Sequence, residues 1–400
     1  MDLTMFGNEA SGRLEGITGS DPRTGSWSHQ AFRPHPLPDT PPVLSAVTYH
    51  AIADARASLA ALDSTARRLP NPTLLRAPTL RREAQATSAL EGTYAPLSDV
   101  LTADDDAPPN ADLREILNYV RMANHAFAWV ADGRPLSLPM LEDLQSILVQ
   151  GTAAQGSSAG KIREIQVVIG RRAGVPAGEL PIRAARFVPP PPGEELVSDV
   201  RRLVDWIRID RGRAMDPVIA CALAHQHFET LHPFNDGNGR IGRLLVVLQL
   251  HGLGILHEPT LTISPWFEAR RGEYYDRLLA VSTEGAWDDY VEFFALGLRD
   301  SADLTHRQML ALVDVQHELK EIVRHSALRA ENARLLVDFA VANPSFTIRR
   351  VEQGLDISKG RANVLVNQLT ALGVLEPLDD RTYDRRFVAP RVLDVLLRAE

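Results

Sequence analysis

Residues 232–243 read HPFNDGNGRIGR, and these twelve residues guide the interpretation of the whole chain. Gly237, Asn238 and Gly239 allow a tight turn whose backbone N–H groups can point at an anion. The apolar run 244–248 that follows predicts a helix, and the positive end of its dipole would face the same anion. The stretch therefore predicts a phosphate-binding turn at the start of a buried helix.

The charged side chains of this stretch suit a group with several phosphates. Arg240 and Arg243 lie three residues apart, so they share one helix face and can fork onto successive phosphates. Asp236 suits Mg²⁺, which binds nucleotides through one or two carboxylates together with phosphate oxygens. His232 can take a proton from an incoming hydroxyl near pH 7. The structural alternative is a glycine-rich turn between helices that carries surface arginines.

The stretch also matches HxFx(D/E)GNGRxxR, the signature of Fic-domain proteins, and the chain resembles that family. Most members transfer AMP from ATP onto hydroxyl groups of proteins. The resemblance implies that His232 is the general base and that Asp236 binds Mg²⁺. It implies that residues 237–239 hold the anion, that Arg240 binds the α- and β-phosphates, and that Arg243 binds the γ-phosphate. The partners implied are ATP and a protein substrate, with the chain itself among the candidates.

A second motif lies far from the first. Residues 87–92 read TSALEG and match [S/T]xxxE[G/N], an inhibitory motif of the same family in which a helix glutamate pairs with the second signature arginine. The resemblance implies that Glu91 pairs with Arg243 and replaces the charge of the γ-phosphate. Residues 11–16 match the pattern too, but Glu15 lies in a glycine-rich stretch, whereas a strong helix-forming run precedes Glu91. We therefore expect Glu91 to be inhibitory; an ordinary glutamate at a helix end is the alternative.

Residues 266–275 resemble the stretch that lines the nucleobase pocket in this family. We expect Tyr275, or its neighbour Tyr274, to stack on adenine, with packing between helices as the alternative. Many relatives have Asn where this chain has Arg270, so the transfer of a different nucleotide group stays open. The carboxylate of Glu91 would also orient a water molecule for the removal of AMP from a modified target.

Residues 165–170 are short and β-branched, which predicts one arm of a β-hairpin. This segment resembles the flap that docks the backbone of the target protein beside the active site in the family. The resemblance implies that Val167, Val168 and Ile169 contact the target.

Composition limits the class of protein. The 400 residues allow two or three domains, and the net charge of −8 argues against a general nucleic-acid coat. Cys221 is the only cysteine and lies in an apolar run, so we expect a buried, inert thiol and no internal disulfide. The N-terminus is polar, and no apolar run is long enough to span a bilayer. We expect a cytoplasmic protein with no membrane partner.

The chain is expected to be mainly α, with a Fic helical core, a small β-hairpin flap and a C-terminal winged helix-turn-helix-like domain. The long polar stretch near 301–331 has apolar residues close to heptad spacing and is typical of a connecting or dimer-forming helix. The predicted divisions are a flexible N-terminal segment over 1–42, a helical domain with the inhibitory motif over 43–109, the catalytic core over 110–300, the connecting helix over 301–332 and the winged-helix-like domain over 333–400.

The last domain raises a second function. Its pattern predicts three helices followed by a strand, a turn and a strand, with Ser358 capping the third helix. DNA binding is one interpretation, and a module for dimerisation or target binding is the other. A nucleotide-sensing, DNA-binding regulator is therefore the alternative to an AMP-transferring enzyme. The residues expected to face a major groove are Lys359, Arg361, Asn363 and Gln368, and those expected on the wing are Arg381, Arg385 and Arg386.

Overall fold

The computed structural model describes residues 1–8, 10–22, 25–68, 76–105, 107–212, 214–326, 328, 331–379 and 385–398. Most of these residues lie in helices, which confirms the mainly α prediction. The helices are α1 (Ala46–Arg68), α2 (Arg76–Leu90), α3 (Leu97–Thr102), α4 (Ala111–Ala131), α5 (Leu138–Leu148), α6 (Pro181–Ala184), α7 (Glu194–Arg208), α8 (Pro217–Leu231), α9 (Asn238–Gly252), α10 (Ser264–Ala269), α11 (Arg271–Glu284), α12 (Trp287–His325), α13 (Glu331–Ala342), α14 (Ile348–Leu355), α15 (Lys359–Ala371) and α16 (Pro390–Leu397). The strands are β1 (Gly12–Asp21), β2 (Gly25–Pro34), β3 (Ile169–Arg171), β4 (Ala185–Phe187), β5 (Phe346–Thr347), β6 (Glu376–Pro377) and β7 (Arg386–Val388).

The helical core is built around α9, whose residues are buried from Asn238 to Leu250. Helices α8, α2, α4, α5 and α7 all pack against it. This burial explains the run 244–248, because a helix that is enclosed on every side has no polar face. The core therefore fixes the start of α9, where the predicted phosphate site lies.

The N-terminal segment differs from the prediction. Instead of a flexible segment, β1 and β2 form an antiparallel hairpin in which Gly12 pairs with Pro34 and Asp21 with Gly25. Buried Ala31 and Phe32 pack in one cluster with residues of the β3–β4 region, and the amide of Phe32 donates to the carbonyl of Val188. The segment is rich in Gly, Ser and Thr, so its few apolar residues gave no clear strand pattern. These apolar residues pack against residues about 150 positions further along the chain.

The flap is smaller than the sequence indicates. Strand β3 pairs with β4, with Ile169 opposite Phe187 and Arg171 opposite Ala185. Of the three expected target-contacting residues, Ile169 lies in the strand, while Val167 and Val168 precede it. Val168, which precedes the strand, and Ile169, its first residue, both pack against the cluster of the N-terminal hairpin.

Helix α12 is a single element of 39 residues. The expected boundary between catalytic core and connecting helix, at 300 and 301, falls inside it. Its first part buries the aromatic residues Tyr290, Phe293 and Phe294, and its length packs along α1. The aromatic residues and the later polar heptads thus belong to one helix, because no proline separates them and the single Gly297 between them is accommodated in the helix.

The described C-terminal residues form four helices, α13 to α16, and a small antiparallel sheet of strand order β5-β7-β6. The side chains of Thr347 and Ser358 cap α14 and α15, as the sequence predicts for Ser358. Gly373, with φ of +69°, follows the end of α15. Arg381 lies outside the described residues. Within the described ranges, every helix is too short or too polar to cross a bilayer.

The C-terminal residues also touch the helix that carries the inhibitory motif. The guanidinium of Arg82 in α2 donates to the carbonyl of Leu396 at 3.2 Å. The hydroxyl of Ser345 donates to the carbonyl of Thr102, at the end of α3, at 3.1 Å. The two regions predicted as separate domains therefore share a polar contact surface.

Candidate active site

The signature residues form the connection between α8 and α9. His232 caps α8 in the left-handed conformation, with φ of 48°, and its N–H donates to the carbonyl of Phe228. Gly237 precedes α9 with φ of 88°, and a Cβ there would lie 2.6 Å from a methyl carbon of Leu148. Both the conformation and the close approach require glycine at this position. The turn therefore has the tight geometry that the sequence predicts.

Asn238 has a structural task that sequence reasoning missed. Its side-chain oxygen accepts from the amide of Phe234, and its side-chain nitrogen donates to the carbonyl of Phe234, both at 2.8 Å. The side chain is thus used to pin the turn, and only the backbone of Asn238 remains to meet an anion. The first N–H groups of α9 have no partner within the helix, which is the general property of helix starts that suits anions.

Arg243 is buried and carries the contact expected from the inhibitory motif. Its side chain is 1 % exposed, and its Nη2 lies 2.6 Å from Oε1 of Glu91. Thr87, the first residue of the motif, accepts from Nε of Arg243 at 2.7 Å through its hydroxyl. Burial disfavours the charged form of Glu91, but the attraction of Arg243 outweighs burial, and the pKa of Glu91 lies below its usual value. The carboxylate is therefore held as an anion against the second signature arginine.

The alternative candidate from the same pattern lies elsewhere. Glu15 is in β1, where its carboxylate pairs with Arg33 at 2.8 Å and with Arg13 at 2.7 Å. The structure therefore brings Glu91, and not Glu15, to Arg243.

Gly239 has a geometric reason for being glycine that concerns Glu91. A Cβ at this position would lie 2.1 Å from Oε1 of Glu91 and 2.9 Å from Nη1 of Arg243. The missing side chain thus leaves the space that the Glu91 carboxylate occupies at the start of α9.

Arg240 contacts two carboxylates. Its Nη1 lies 2.5 Å from Oε1 of Glu115 in α4, and its Nη2 lies 3.2 Å from Oδ2 of Asp236. The hydroxyl of Thr93 donates to the same oxygen of Glu115 at 2.9 Å. Sequence reasoning missed Glu115, because nothing in its own helix marks it as a partner of a residue 125 positions away.

Asp236 is the residue available for a divalent cation. Its side chain is 45 % exposed, so its carboxylate can be reached by solvent and by phosphate oxygens. A single carboxylate suits Mg²⁺ that keeps several waters and binds phosphates, which is the usual arrangement at nucleotide sites. The donor set therefore fits the implied ion. Among the described residues there is no group of three His, Cys, Asp or Glu side chains that would form an all-protein metal site.

His232 is held in a state that can accept a proton. Burial lowers the pKa of His232 to about 4, Glu91 opposes this shift, and Arg163 adds to it. The imidazole is therefore neutral near pH 7. Arg163, which is 1 % exposed, fixes the backbone here by donating from Nε to the carbonyl of His232 at 2.8 Å. Sequence reasoning missed this role of Arg163.

A cavity of about 350 Å³ opens between these residues and the flap. Tyr275 lines it and donates from its hydroxyl to the carbonyl of Leu90, the last residue of α2. Tyr274 is instead a core residue, buried against Phe267 and hydrogen-bonded to His225. The residues that line the cavity include Glu91, His232, Tyr275, Ile169, Arg271 and Glu229.

Arg270 points to a different neighbour. Its guanidinium lies 4.2 Å from the ring centre of Trp266, and among the described residues it does not line the cavity. The adjacent Arg271 does line the cavity and donates to the hydroxyl of Tyr94 at 2.9 Å.

Glu229, in the last turn of α8, is a further carboxyl group that sequence reasoning missed. Its Oε1 is buried and has no hydrogen-bond partner among the described residues. Burial raises the pKa of Glu229 to about 8, Arg243 opposes this shift, and Glu91 adds to it. Glu229 is therefore mostly protonated at pH 7. The only signal in the sequence was its position three residues before His232 on the same helix.

Comparisons with known protein families agree with this geometry. Residues 135–250 match the Fic/DOC family, and residues 49–128 match the Fic/DOC family N-terminal region. The first match contains the turn between α8 and α9, and the second contains Glu91 and Glu115.

Several proteins that are similar to this chain are named protein adenylyltransferases. The chain is 38% identical over 90 residues to protein adenylyltransferase fic-1 of Caenorhabditis briggsae, which covers 22% of this chain and 15% of the relative. It is 32% identical over 137 residues to protein adenylyltransferase Fic of Drosophila ananassae, which covers 34% of this chain and 25% of the relative. The chain thus spans a quarter or less of the length of these relatives.

The fold is similar to that of a crystal structure of a Fic family protein from Desulfovibrio desulfuricans G20. The match covers 88% of this chain and 98% of that one, with a TM-score of 0.54 and 19% sequence identity. At this identity the likeness concerns the fold alone.

Proposed function

We propose that this chain, which matches the Fic/DOC family over residues 49–128 and 135–250, is a protein adenylyltransferase that transfers AMP from ATP to a hydroxyl side chain of a target protein. The observation that carries the proposal is the neutral His232 at the cavity edge, next to a helix start with two buried arginines. A base, phosphate-binding cations and a cavity beside them are what such a transfer needs.

In the proposed reaction, Nε2 of His232 accepts the proton of the target hydroxyl. The hydroxyl oxygen attacks the α-phosphorus of ATP, and the bond from that phosphorus to the bridging oxygen of the β-phosphate breaks. Pyrophosphate leaves, and the target keeps a phosphodiester to AMP. Arg240 stabilises charge on the α- and β-phosphates, Arg243 binds the γ-phosphate, and Asp236 would hold Mg²⁺, which neutralises phosphate charge when bound.

The backbone of residues 237–239 would hold the phosphates at the start of α9, and Tyr275 would contact the base. Ile169 in β3, with Val167 and Val168 before it, would lie beside the backbone of the target protein. The buried side chain of Cys221 has no part in this reaction, because burial raises the pKa of its thiol and keeps it protonated.

Glu91 would hold this reaction off. Its carboxylate occupies Nη2 of Arg243 and the space above Gly239, which is the place that the proposal gives to the γ-phosphate. A nucleotide that binds while Glu91 remains would have its phosphates displaced from the position needed for in-line attack. The same carboxylate, near His232, would serve the reverse reaction by orienting water toward an AMP-modified target.

The test is incorporation of label from α-labelled ATP in the presence of Mg²⁺ and cell lysate. We expect Glu91→Gly to incorporate far more label than the unchanged chain, and Glu91→Gly with His232→Ala to incorporate none above background. Mass spectrometry of the labelled proteins would identify the transferred group and the target. Label incorporation that survives His232→Ala would exclude His232 as the base, and transfer of a group other than AMP would exclude adenylyl transfer.

A second function is supported by α15. Lys359, Arg361 and Asn363 are exposed on this helix, as expected for a helix that reads a major groove, and Gln368 is partly exposed. In this alternative the chain binds DNA and the Fic core senses nucleotide. An electrophoretic shift that weakens steeply with salt, and that is lost in Arg361→Ala, would support it.

A further inference from the structure

Arg240 has an unusual set of partners for a buried cation at a phosphate site. Its side chain is 2 % exposed, Glu115 holds Nη1 at 2.5 Å, and Asp236 lies 3.2 Å and 3.3 Å from Nη2. Its Nε is buried and has no hydrogen-bond partner in the part of the chain that the structure describes. One nitrogen is thus firmly held, one is held more loosely, and one has no partner.

Glu115 is itself held in place from two sides. Its neighbours Ile116 and Leu117 are buried in the core, so the position of this turn of α4 is fixed by packing. The hydroxyl of Thr93 donates to the same carboxylate oxygen that contacts Arg240. The carboxylate is therefore an anchored part of the site and not a mobile surface group.

We propose that Glu115 is a positioning residue for Arg240: it fixes Nη1 and balances the buried charge. Nε, which has no partner among the described residues, and Nη2, which only Asp236 of those residues contacts, can then turn to phosphate, and Asp236 can release Nη2 to bind Mg²⁺. This inference rests on the proposed function, because it assumes that Arg240 meets the phosphates of ATP.

The argument depends on how two carboxylates share one buried cation. A buried guanidinium that loses a partner carries a large penalty, and the remaining carboxylate is then drawn to it more strongly. Without Glu115, Asp236 would be the carboxylate left at Arg240 among the described residues. Asp236 would then be less available to a cation, and the guanidinium would turn toward it and away from the phosphates.

The position of Glu115 argues against a second inhibitory role. The three atoms nearest to a Cβ built at Gly239 belong to Glu91 and Arg243, so Glu91 is the carboxylate above the helix start. Glu115 contacts Arg240 from α4 and occupies one of its three nitrogens. An inhibitory carboxylate would have to leave before the nucleotide can bind in the position needed for transfer, whereas Glu115 would stay.

The experiment compares Glu91→Gly with Glu91→Gly plus Glu115→Gln, so that the inhibitory glutamate does not obscure the effect. Isothermal calorimetry with the α,β-methylene analogue of ATP gives binding without turnover, at several Mg²⁺ concentrations and in EDTA. We expect Glu115→Gln to raise the Kd of the analogue in Mg²⁺ about tenfold, since charge-assisted contacts to phosphate are lost. The Mg²⁺ concentration for half-maximal binding should rise as well, and kcat/KM for AMP transfer should fall in parallel.

Two further variants act as controls. Asp112→Asn removes one carboxylate from the exposed first turn of the same helix and should leave the analogue Kd and the Mg²⁺ requirement unchanged. Thr93→Val removes only the hydrogen bond to Glu115 and should shift both quantities in the same direction as Glu115→Gln, by less. This milder variant provides the test if Glu115→Gln does not fold.

The outcomes are distinct. Tighter analogue binding or faster transfer in Glu115→Gln would show that Glu115 competes with phosphate, and would overturn the positioning role. An unchanged Kd and Mg²⁺ requirement would overturn it too. Analogue binding without AMP transfer in the Glu91→Gly background would contradict the proposed function and leave the positioning of Arg240 to be judged from the binding data. No analogue binding in that background would remove both.

Discussion

Each of the two signature arginines contacts a glutamate of this chain, but the two glutamates occupy different positions in their helices. Glu91 follows the last residue of α2 and precedes Gly92, whose φ of +97° ends the helix, and its side chain is 32 % exposed. Glu115 lies within α4, directly before the buried residues Ile116 and Leu117, and its side chain is 25 % exposed. A carboxylate at a helix end can leave its arginine at the cost of a local rearrangement, whereas one inside a packed helix cannot. An arginine–glutamate pair could therefore inhibit a site or organise it, depending on whether the glutamate lies at a helix end or inside a packed helix.

Replacing each arginine should give the largest difference in kcat/KM between the Arg240–Glu115 pair and the Arg243–Glu91 pair. In the Glu91→Gly background we expect Arg240→Ala to lower kcat/KM for AMP transfer by about 10²–10³-fold, as for loss of a preorganised donor at a developing charge. Arg243→Ala should cost only about tenfold, because its proposed partner is the γ-phosphate, which departs with pyrophosphate. Steady-state rates at saturating target would measure both. Equal losses for the two variants would contradict the division of roles between the arginines.

Weakening the Glu91 pair alone should activate the unchanged chain. Thr87→Val removes the acceptor of Arg243 Nε and keeps the side-chain volume. A lost hydrogen bond worth about 1 kcal/mol would shift the inhibited state about fivefold toward the active one, and basal label incorporation should rise by that factor. In the Glu91→Gly background the same substitution should produce no increase. A rise in both backgrounds would mean that Thr87 acts on the active site by another route.

The pH dependence of transfer tests how Glu91 affects the base. Glu91 raises the pKa of His232, while burial lowers it to about 4, so removal of Glu91 should lower that pKa further. His232 would then be unprotonated at all pH values above about 5, and kcat/KM of Glu91→Gly should change less than about twofold between pH 6 and 8. Rates measured across this range with a fixed Mg²⁺ concentration would decide it. A loss of activity with a midpoint near pH 6.5 would show an ordinary, exposed imidazole.

The smallest effect concerns Glu229, a further carboxyl group near Arg243. Its pKa in the folded protein is about 8, above the value of about 4.3 expected in the unfolded chain. A raised folded pKa means that the stability contributed by the protonated form is present at low pH and is lost as the pH rises through about 8. Between pH 7 and 9 the Tm of the unchanged chain should fall about 1–2 °C more than that of Glu229→Gln. Parallel Tm curves for the two proteins would show that Glu229 is already ionised at pH 7.

The sequence predicted local features well because each depends on nearby residues. Ser358 caps α15, and its side chain accepts from the amide of Arg361, as its position before an apolar helix indicated. The turn at Gly237 follows from the conformations that glycine allows. The motif that contains Glu91 was identified by its pattern, and its contact with Arg243 required the fold to bring α2 to α9.

The features that sequence reasoning missed depend on distant packing. The N-terminal hairpin is stabilised by residues of the flap region, and its own composition is typical of a loop. Glu115 and Arg163 have ordinary neighbours in the sequence, and only the fold places one on Arg240 and the other on the carbonyl of His232. Helix α12 crosses an expected boundary because its aromatic segment and its polar heptads both favour a helix. The change in composition between them therefore does not mark a change in secondary structure.

Gly239 carries a consequence for how variants of this chain should be interpreted. A side chain there would collide with the carboxylate of Glu91, so the glycine suits the proposed inhibited arrangement as well as the proposed close approach of phosphate. Two separate demands therefore restrict one position. The presence of this glycine in a homologue would not show that the homologue transfers a nucleotide, because the arrangement with Glu91 alone would favour glycine at this position. Conversely, a chain that had lost its inhibitory glutamate would be the informative case, because there only the demand of the phosphate remains.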